Sequence, residues 1–74
     1  MGKLSPLPAK KVVKKLKRAG FIECHQRGSH LTLKDAGSKR FVTVSMHGKD
    51  IPIGTLYNIV VRQAQLGVDE FNKL

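Results

Sequence analysis

Cysteine is scarce in this 74-residue sequence, which has Cys24 alone. A single thiol excludes an intrachain disulfide and is compatible with a reducing compartment. Cys24 with His25, His30 and His47 does not match a known zinc-ligand spacing, so no metal and no other cofactor is expected. Because Cys24 alternates with Ile22 in a strand-like stretch, we predict that its thiol is buried in the core.

Long apolar runs are also lacking. No segment approaches the ~20 apolar residues that a membrane-spanning helix needs. Residues 1–6 do not resemble a secretory signal peptide. We therefore expect a soluble cytoplasmic protein without a membrane partner, folded as a single domain over residues 1–74, near the lower size limit for one hydrophobic core.

Acidic residues are few: five Asp and Glu stand against 14 Lys and Arg, for a net charge of +9. This excess predicts a polyanionic partner, most simply a nucleic acid, although an acidic protein or an anionic membrane surface would also fit. No paired carboxylates indicate a two-metal nuclease. No acid is placed to orient a base behind Ser29 or Cys24, which argues against nucleophilic catalysis by either side chain.

The apolar pattern predicts a helix, three strands and a second helix. A helical stripe over residues 8–19 is followed by Gly20 as a stop. Alternating residues predict strands at 21–27, 29–34 and 40–46, and the residues expected to face the core from the second and third strands are Leu31, Leu33, Val42, Val44 and Met46. Three antiparallel strands covered on one face by two helices make a two-layer α+β sandwich with the other sheet face open.

The second helix is predicted from residue 53 or 54 to residue 66, with a buried stripe formed by Ile53, Leu56, Ile59, Val60 and Ala64. Gly54 or Thr55 is expected to cap its start, and Gly67 to end it. Residues 68–74 are expected to add a short turn, with Asp69 as its N-cap and with Phe71 and Leu74 packing back on the core.

The outer face of the first helix carries a run of basic residues with no interleaved acid. Like charges repel along a helix, so a helix that tolerates them is expected to contact an anion. With one lysine from the second strand, the predicted RNA-binding residues are Lys10, Lys11, Lys14, Lys15, Arg18 and Lys34.

His30 is the candidate catalytic residue. It lies just after the Gly28-Ser29 turn, and the strand period places it on the face opposite Leu31 and Leu33. RNA can be cleaved by its own 2′-hydroxyl when a group with a pKa near neutrality moves protons and a cation stabilises the phosphate. Histidine suits the first role, and Arg27 before the turn and Lys34 on the same strand face suit the second. His47 and His25 are competing candidates, and an exposed histidine without a role is the remaining interpretation.

Several segments resemble the HicA family of toxin ribonucleases. They are Lys11 to Leu16 running to Ala19-Gly20-Phe21, then Gln26-Arg27-Gly28-Ser29-His30, then Val42-Thr43-Val44 with His47-Gly48. Further ones are Gly54-Thr55-Leu56 with Ile59, Gln63-Ala64, Leu66-Gly67 and Glu70-Phe71. Many relatives carry a proline two residues before the second histidine, where this chain has Ser45, so the third strand is expected to run slightly further here.

The resemblance implies a fold like the double-stranded-RNA-binding domain and metal-independent cleavage of single-stranded mRNA. It also implies a catalytic histidine at His30 and a cognate antitoxin of the HicB type that blocks the active site. Arg27, Gly28, Ser29 and His47 are supporting candidates. Two other functions remain open: a non-catalytic RNA-binding module of the same fold, and a protein-interaction domain whose charge serves an acidic partner.

Overall fold

The first helix and its stop match the predicted pattern. The computed structural model describes residues 2–74. Helix α1, Ala9–Arg18, buries Val12, Val13 and Leu16 along one stripe. Gly20 follows at φ 107°, a left-handed backbone conformation that favours glycine and ends the helical hydrogen-bond pattern.

Three antiparallel strands form one sheet in the order β1-β2-β3: Phe21–Arg27, His30–Asp35 and Phe41–Ser45. Strict alternation in β2 and β3 buries four apolar residues against the helices: Leu31, Leu33, Val42 and Val44. Because a strand's side chains alternate between faces, the intervening residues point to the open face. The predicted α-β-β-β-α order and two-layer sandwich are therefore confirmed.

Strand β1 differs from its prediction. Its only buried residue is Phe21, whereas Ile22 is 54% exposed and Cys24 is exposed. Glu23 pairs with Leu33 and His25 with Thr32, so Cys24 is the extra residue of a β-bulge. The buried Cys24 thiol is thus a wrong prediction: Phe21, not Ile22, sets the inward alternation, and the bulge then interrupts it.

The second helix starts at the predicted residue but is not capped as predicted. Helix α2, Ile53–Tyr57, has Pro52 as its N-cap with no side-chain cap, so Gly54 and Thr55 lie inside the helix. Ile53 is 51% exposed, outside the buried stripe that the sequence predicted for it, because it occupies the first helical position at the edge of the core. The other four stripe residues are buried as predicted.

After α2 the chain continues as a π-helical segment, Asn58–Gln63, and leaves the helix at Gln65, which has φ 57°. Gly67 therefore does not end this helix. It is the N-cap of α3, Val68–Asn72, and its N–H donates to Glu70 Oε1 at 3.4 Å. Asp69 lies in the first turn of α3 rather than at its cap, while Phe71 is fully buried and Leu74 packs on the core, as predicted.

The turn between β2 and β3 is stabilised by a partly buried ion pair. Arg40 donates to Asp35 Oδ2 through Nε at 3.0 Å and through a second guanidinium nitrogen, and to the Ala64 carbonyl at 2.7 Å. The Arg40 hydrogen bond first, then those from the Gly37 N–H and the Ser38 hydroxyl, hold the pKa of Asp35 below its usual value. This cluster joins the sheet to the end of the π-helical segment.

Candidate functional site

His30 is the first residue of β2, and its side chain is exposed while its neighbour Leu31 is buried. The predicted placement of His30 on the open face is therefore confirmed. Its cross-strand partners are Arg27 on β1 and Ser45 on β3. Since directly opposed residues of an antiparallel sheet point to the same face, these three side chains form a row at one end of the open face.

The turn before His30 is shaped by Gly28 and Ser29. Gly28 has φ 59°, which a residue with a Cβ adopts at a cost. Its carbonyl accepts a hydrogen bond from Gln26 Nε2 at 3.2 Å. The Ser29 carbonyl accepts from the Met46 N–H at 2.6 Å, which extends the β2–β3 pairing one residue beyond β3. Gly28 and Ser29 thus fix where β2 begins and where His30 stands.

A groove of about 490 Å³ opens beside His30. Its floor and walls come from the open face of β2 and β3, the segment after β3, and α2 with the π-helical segment: His30, Thr43, Ser45, His47, Gly48, Lys49, Asp50, Ile51, Pro52, Thr55, Asn58, Ile59 and Gln63. Two of the three histidines therefore line one groove. Ser45 Oγ lies 2.9 Å from His47 Nδ1. This contact uses one ring nitrogen of His47, and the other, Nε2, is not engaged by Ser45.

The remaining histidine is separate from the groove. His25 is exposed on β1 and is opposite Thr32, so it shares the open face with His30 but does not line the groove. Both stand on the same surface, and only one of them adjoins a concave site. His25 is for this reason a matched control for His30.

The cations are distributed unevenly around His30. Lys49, which sequence reasoning missed, lines the groove. Arg27 flanks His30 on the β1 side, away from the groove. Lys34 shares the open face but lies four residues along β2, about 13 Å from His30 at the usual strand rise. Lys49, through the groove, and Arg27, through strand pairing, therefore adjoin His30, whereas Lys34 does not.

The helical wall of the groove was not predictable from the sequence. A π-helix makes its hydrogen bonds between residues five apart, and Asn58 and Gln63, which have that spacing, both line the groove. Gln63 Oε1 also accepts from the Thr43 N–H at 2.9 Å, at the free edge of β3. Helical periodicity alone carries no signal for such a register change. Lys49, by contrast, could have been found from its position next to His47 and Gly48.

The basic face of α1 lies on the opposite side of the molecule from His30. Its buried stripe packs on the covered side of the sheet, so its lysines point outward from the helix layer. A shallow groove of about 220 Å³ is lined there by Lys11, Lys14, Lys15, Arg18 and Leu74. RNA that touched both surfaces would have to pass around an edge of the protein.

Lys15 differs from the other basic residues of α1. Its Nζ donates to the carbonyls of Phe71 at 3.3 Å, Asn72 at 3.5 Å and Leu74 at 3.1 Å. The same ammonium lies 5.2 Å from the centroid of the Phe71 ring. Lys15 therefore joins α1 to the end of α3, a role that its place in a basic run did not reveal. Lys17 is paired with Glu23.

The fold and the groove together describe a small basic α+β protein of α-β-β-β-α order with a histidine-lined cleft on its open sheet face. A family model described as the HicA toxin of bacterial toxin–antitoxin systems matches residues 9–66. The chain belongs to the HicA toxin family, and its biological partner is accordingly an antitoxin. No curated protein matches the chain.

Within residues 2–74, no group of three or more His, Cys, Asp and Glu side chains is arranged to hold a metal ion. No helix of that span has the length and apolar character needed to cross a bilayer.

Proposed function

We propose that this HicA toxin is an endoribonuclease that cleaves single-stranded mRNA in the cytoplasm, with His30 as a catalytic residue and without a metal. The observation that carries the proposal is the groove itself. It brings exposed His30 together with His47, with Lys49 and Asp50 in its lining and Arg27 next to His30. RNA cleavage needs those two kinds of group, proton carriers and fixed cations.

The reaction needs only the substrate and the side chains. The ribose 2′-oxygen loses its proton to a base and bonds to phosphorus, and the bond from phosphorus to the 5′-oxygen breaks as that oxygen receives a proton. His30 serves one of these proton transfers. His47 serves the other through Nε2, held by the Ser45 contact at Nδ1. Lys49 and Arg27 stabilise the charge that builds on the phosphate.

The basic face of α1 supports RNA binding separately from cleavage, because it lies on the opposite layer from His30. We propose that Lys10, Lys11, Lys14 and Arg18 hold flanking RNA through its phosphates. The same observation favours the second candidate function, a non-catalytic RNA-binding module. Incubating the protein with RNA separates the two, since a pure binder shifts the RNA and leaves it intact.

The antitoxin is proposed to be of the HicB type and to inhibit by covering the groove. Its acidic residues would meet Lys49 and Arg27 and exclude the substrate phosphate from His30. Cleavage should then stop at a stoichiometric amount of antitoxin, and the antitoxin should protect groove residues from amide hydrogen exchange. Inhibition with no protection around the groove would contradict this mode.

The test of the chemistry uses purified protein, an RNA oligomer and excess EDTA. We expect cleavage to continue in EDTA and to yield a 2′,3′-cyclic phosphate and a 5′-hydroxyl, because the 2′-oxygen is the nucleophile. An oligomer with 2′-deoxyribose at the cleaved position should stay intact. Loss of cleavage in EDTA, restored by added divalent metal, would refute the metal-free mechanism.

A further inference from the structure

A row of side chains crosses the open sheet face at the end away from His30. Ile22 on β1 is opposite Lys34 on β2, which is opposite Phe41 on β3. Ile22 is 54% and Phe41 53% exposed, although the core takes up most of the chain's large apolar residues. The Lys34 ammonium lies 5.8 Å from the Phe41 ring centroid. A half-exposed aromatic ring therefore stands on the open face with a cation over one side of it.

The charge of this face indicates which kind of partner fits it. His25, Arg27, His30 and Lys34 are its titratable or charged side chains. None of the chain's five carboxylates lies on the open face of the strands. Glu23 and Asp35 are opposite the inward-facing Leu33 and Phe21, and the other three lie outside the strands: Asp50, Asp69 and Glu70. The face is complementary to an anion with flat apolar groups.

We propose that Phe41 is a stacking platform for an unpaired base of the RNA substrate, with Lys34 binding an adjacent phosphate. Base–aromatic stacking combined with backbone neutralisation is the usual chemistry of single-strand binding. The inference rests on the proposed function and specifies its substrate: the RNA runs along the sheet from the Lys34–Phe41 pair to His30, about 13 Å away. A base can stack on Phe41 only where the RNA is not paired.

The composition of the chain provides a direct reporter, because it contains no tryptophan. Phe41→Trp in a His30→Ala background gives a single tryptophan at the platform and leaves the RNA uncut. Tyr57→Trp in the same background is the matched control, since Tyr57 is 45% exposed on α2, outside the sheet. Each is titrated with one single-stranded oligoribonucleotide and with its fully paired duplex.

Stacking predicts strong quenching of Phe41→Trp by the single strand, much weaker quenching by the duplex, and little change in Tyr57→Trp. Binding by anisotropy should be about 5- to 100-fold weaker for Phe41→Leu, which keeps an apolar side chain but has no π face, and near the wild-type value for Phe41→Tyr. Circular dichroism establishes that each variant is folded.

Phe41→Leu that binds the oligomer as tightly as its parent would overturn the proposal. Quenching of the Phe41→Trp fluorescence by the purified antitoxin but not by RNA would also overturn it, because the face would then be a protein interface. The two proposals can fail separately. If His30→Ala cleaves RNA normally while Phe41→Trp is quenched, the stacking proposal is supported and the catalytic role of His30 is refuted. If cleavage requires His30 but Phe41→Leu binds RNA normally, the catalytic role is supported and the stacking proposal is refuted.

Discussion

Replacing Lys15 with alanine tests whether this residue of the basic helix holds the fold together rather than only contacting RNA. Its ammonium donates to three carbonyls at the end of α3 and lies over the Phe71 ring. Alanine removes all of these contacts and leaves α1 intact, because alanine is the best helix former. Lys14→Ala is the matched control, one position away on the same helix and exposed.

The expected loss follows from the contacts. A cation at a helix C-terminus is worth about 0.3–1 kcal/mol, and an exposed cation–π contact about 0.5–1 kcal/mol. The hydrogen bonds from Lys15 to the α3 carbonyls are part of the first contribution and are not counted again. The expected loss of unfolding free energy is therefore about 1–2 kcal/mol. For a domain of this size that lowers Tm by about 4–16 °C. Lys14→Ala should change stability by less than about 0.5 kcal/mol.

Thermal unfolding followed by circular dichroism at 222 nm measures both variants. RNA affinity, measured well below either Tm, gives the second readout, and we expect Lys14→Ala to weaken it at least as much as Lys15→Ala. Equal Tm values for the two variants, together with a larger loss of affinity for Lys15→Ala, would refute the structural role of Lys15.

Three further predictions concern pH, backbone and salt. The pKa of Asp35 is lowered in the folded protein, so its stabilisation is present above the usual carboxyl value of 3.8 and is lost as the pH falls through the folded value. Asp35→Asn should lower Tm at neutral pH and flatten its fall on acidification; an unchanged acid profile would contradict the ion pair. Gly28→Ala should lower the free energy of unfolding, measured in urea, by about 1–2 kcal/mol, because an alanine would have to adopt φ 59°. No atom lies within 4 Å of the added Cβ, so crowding does not contribute. An unchanged urea midpoint would exclude backbone strain at this turn. RNA affinity should fall steeply with salt, with a log–log slope that Lys14→Ala reduces by about 0.7; a flat response would contradict phosphate contacts at α1.

Those parts of the fold that follow from local periodicity were predictable. Val12, Val13 and Leu16 recur at helical spacing, and Leu31 with Leu33 alternates as a half-buried strand, so α1 and β2 were predicted to within a residue or two. The same alternation placed His30 on the open face. A side chain's face depends only on its distance along the strand from a buried neighbour.

The errors fall where tertiary contacts override local pattern. The bulge at Cys24 depends on how β1 pairs with β2, which a single strand does not encode. Gly67 looked like a helix stop, but Gln65 adopts the left-handed conformation first. The groove beside His30 likewise depends on the π-helical register and on the Ser45–His47 contact. Neither has a period that can be seen in the sequence.

The central claim is that His30 performs the chemistry, and the single-turnover cleavage rate of three proteins tests it most directly. Wild type, His30→Ala and His25→Ala are compared on one RNA oligomer in EDTA, with enzyme in excess and folding checked by circular dichroism. We predict that His30→Ala is about 10²- to 10⁴-fold slower, the usual contribution of one positioned proton carrier, and that His25→Ala keeps the wild-type rate. A folded His30→Ala protein that cleaves at the wild-type rate would contradict the account.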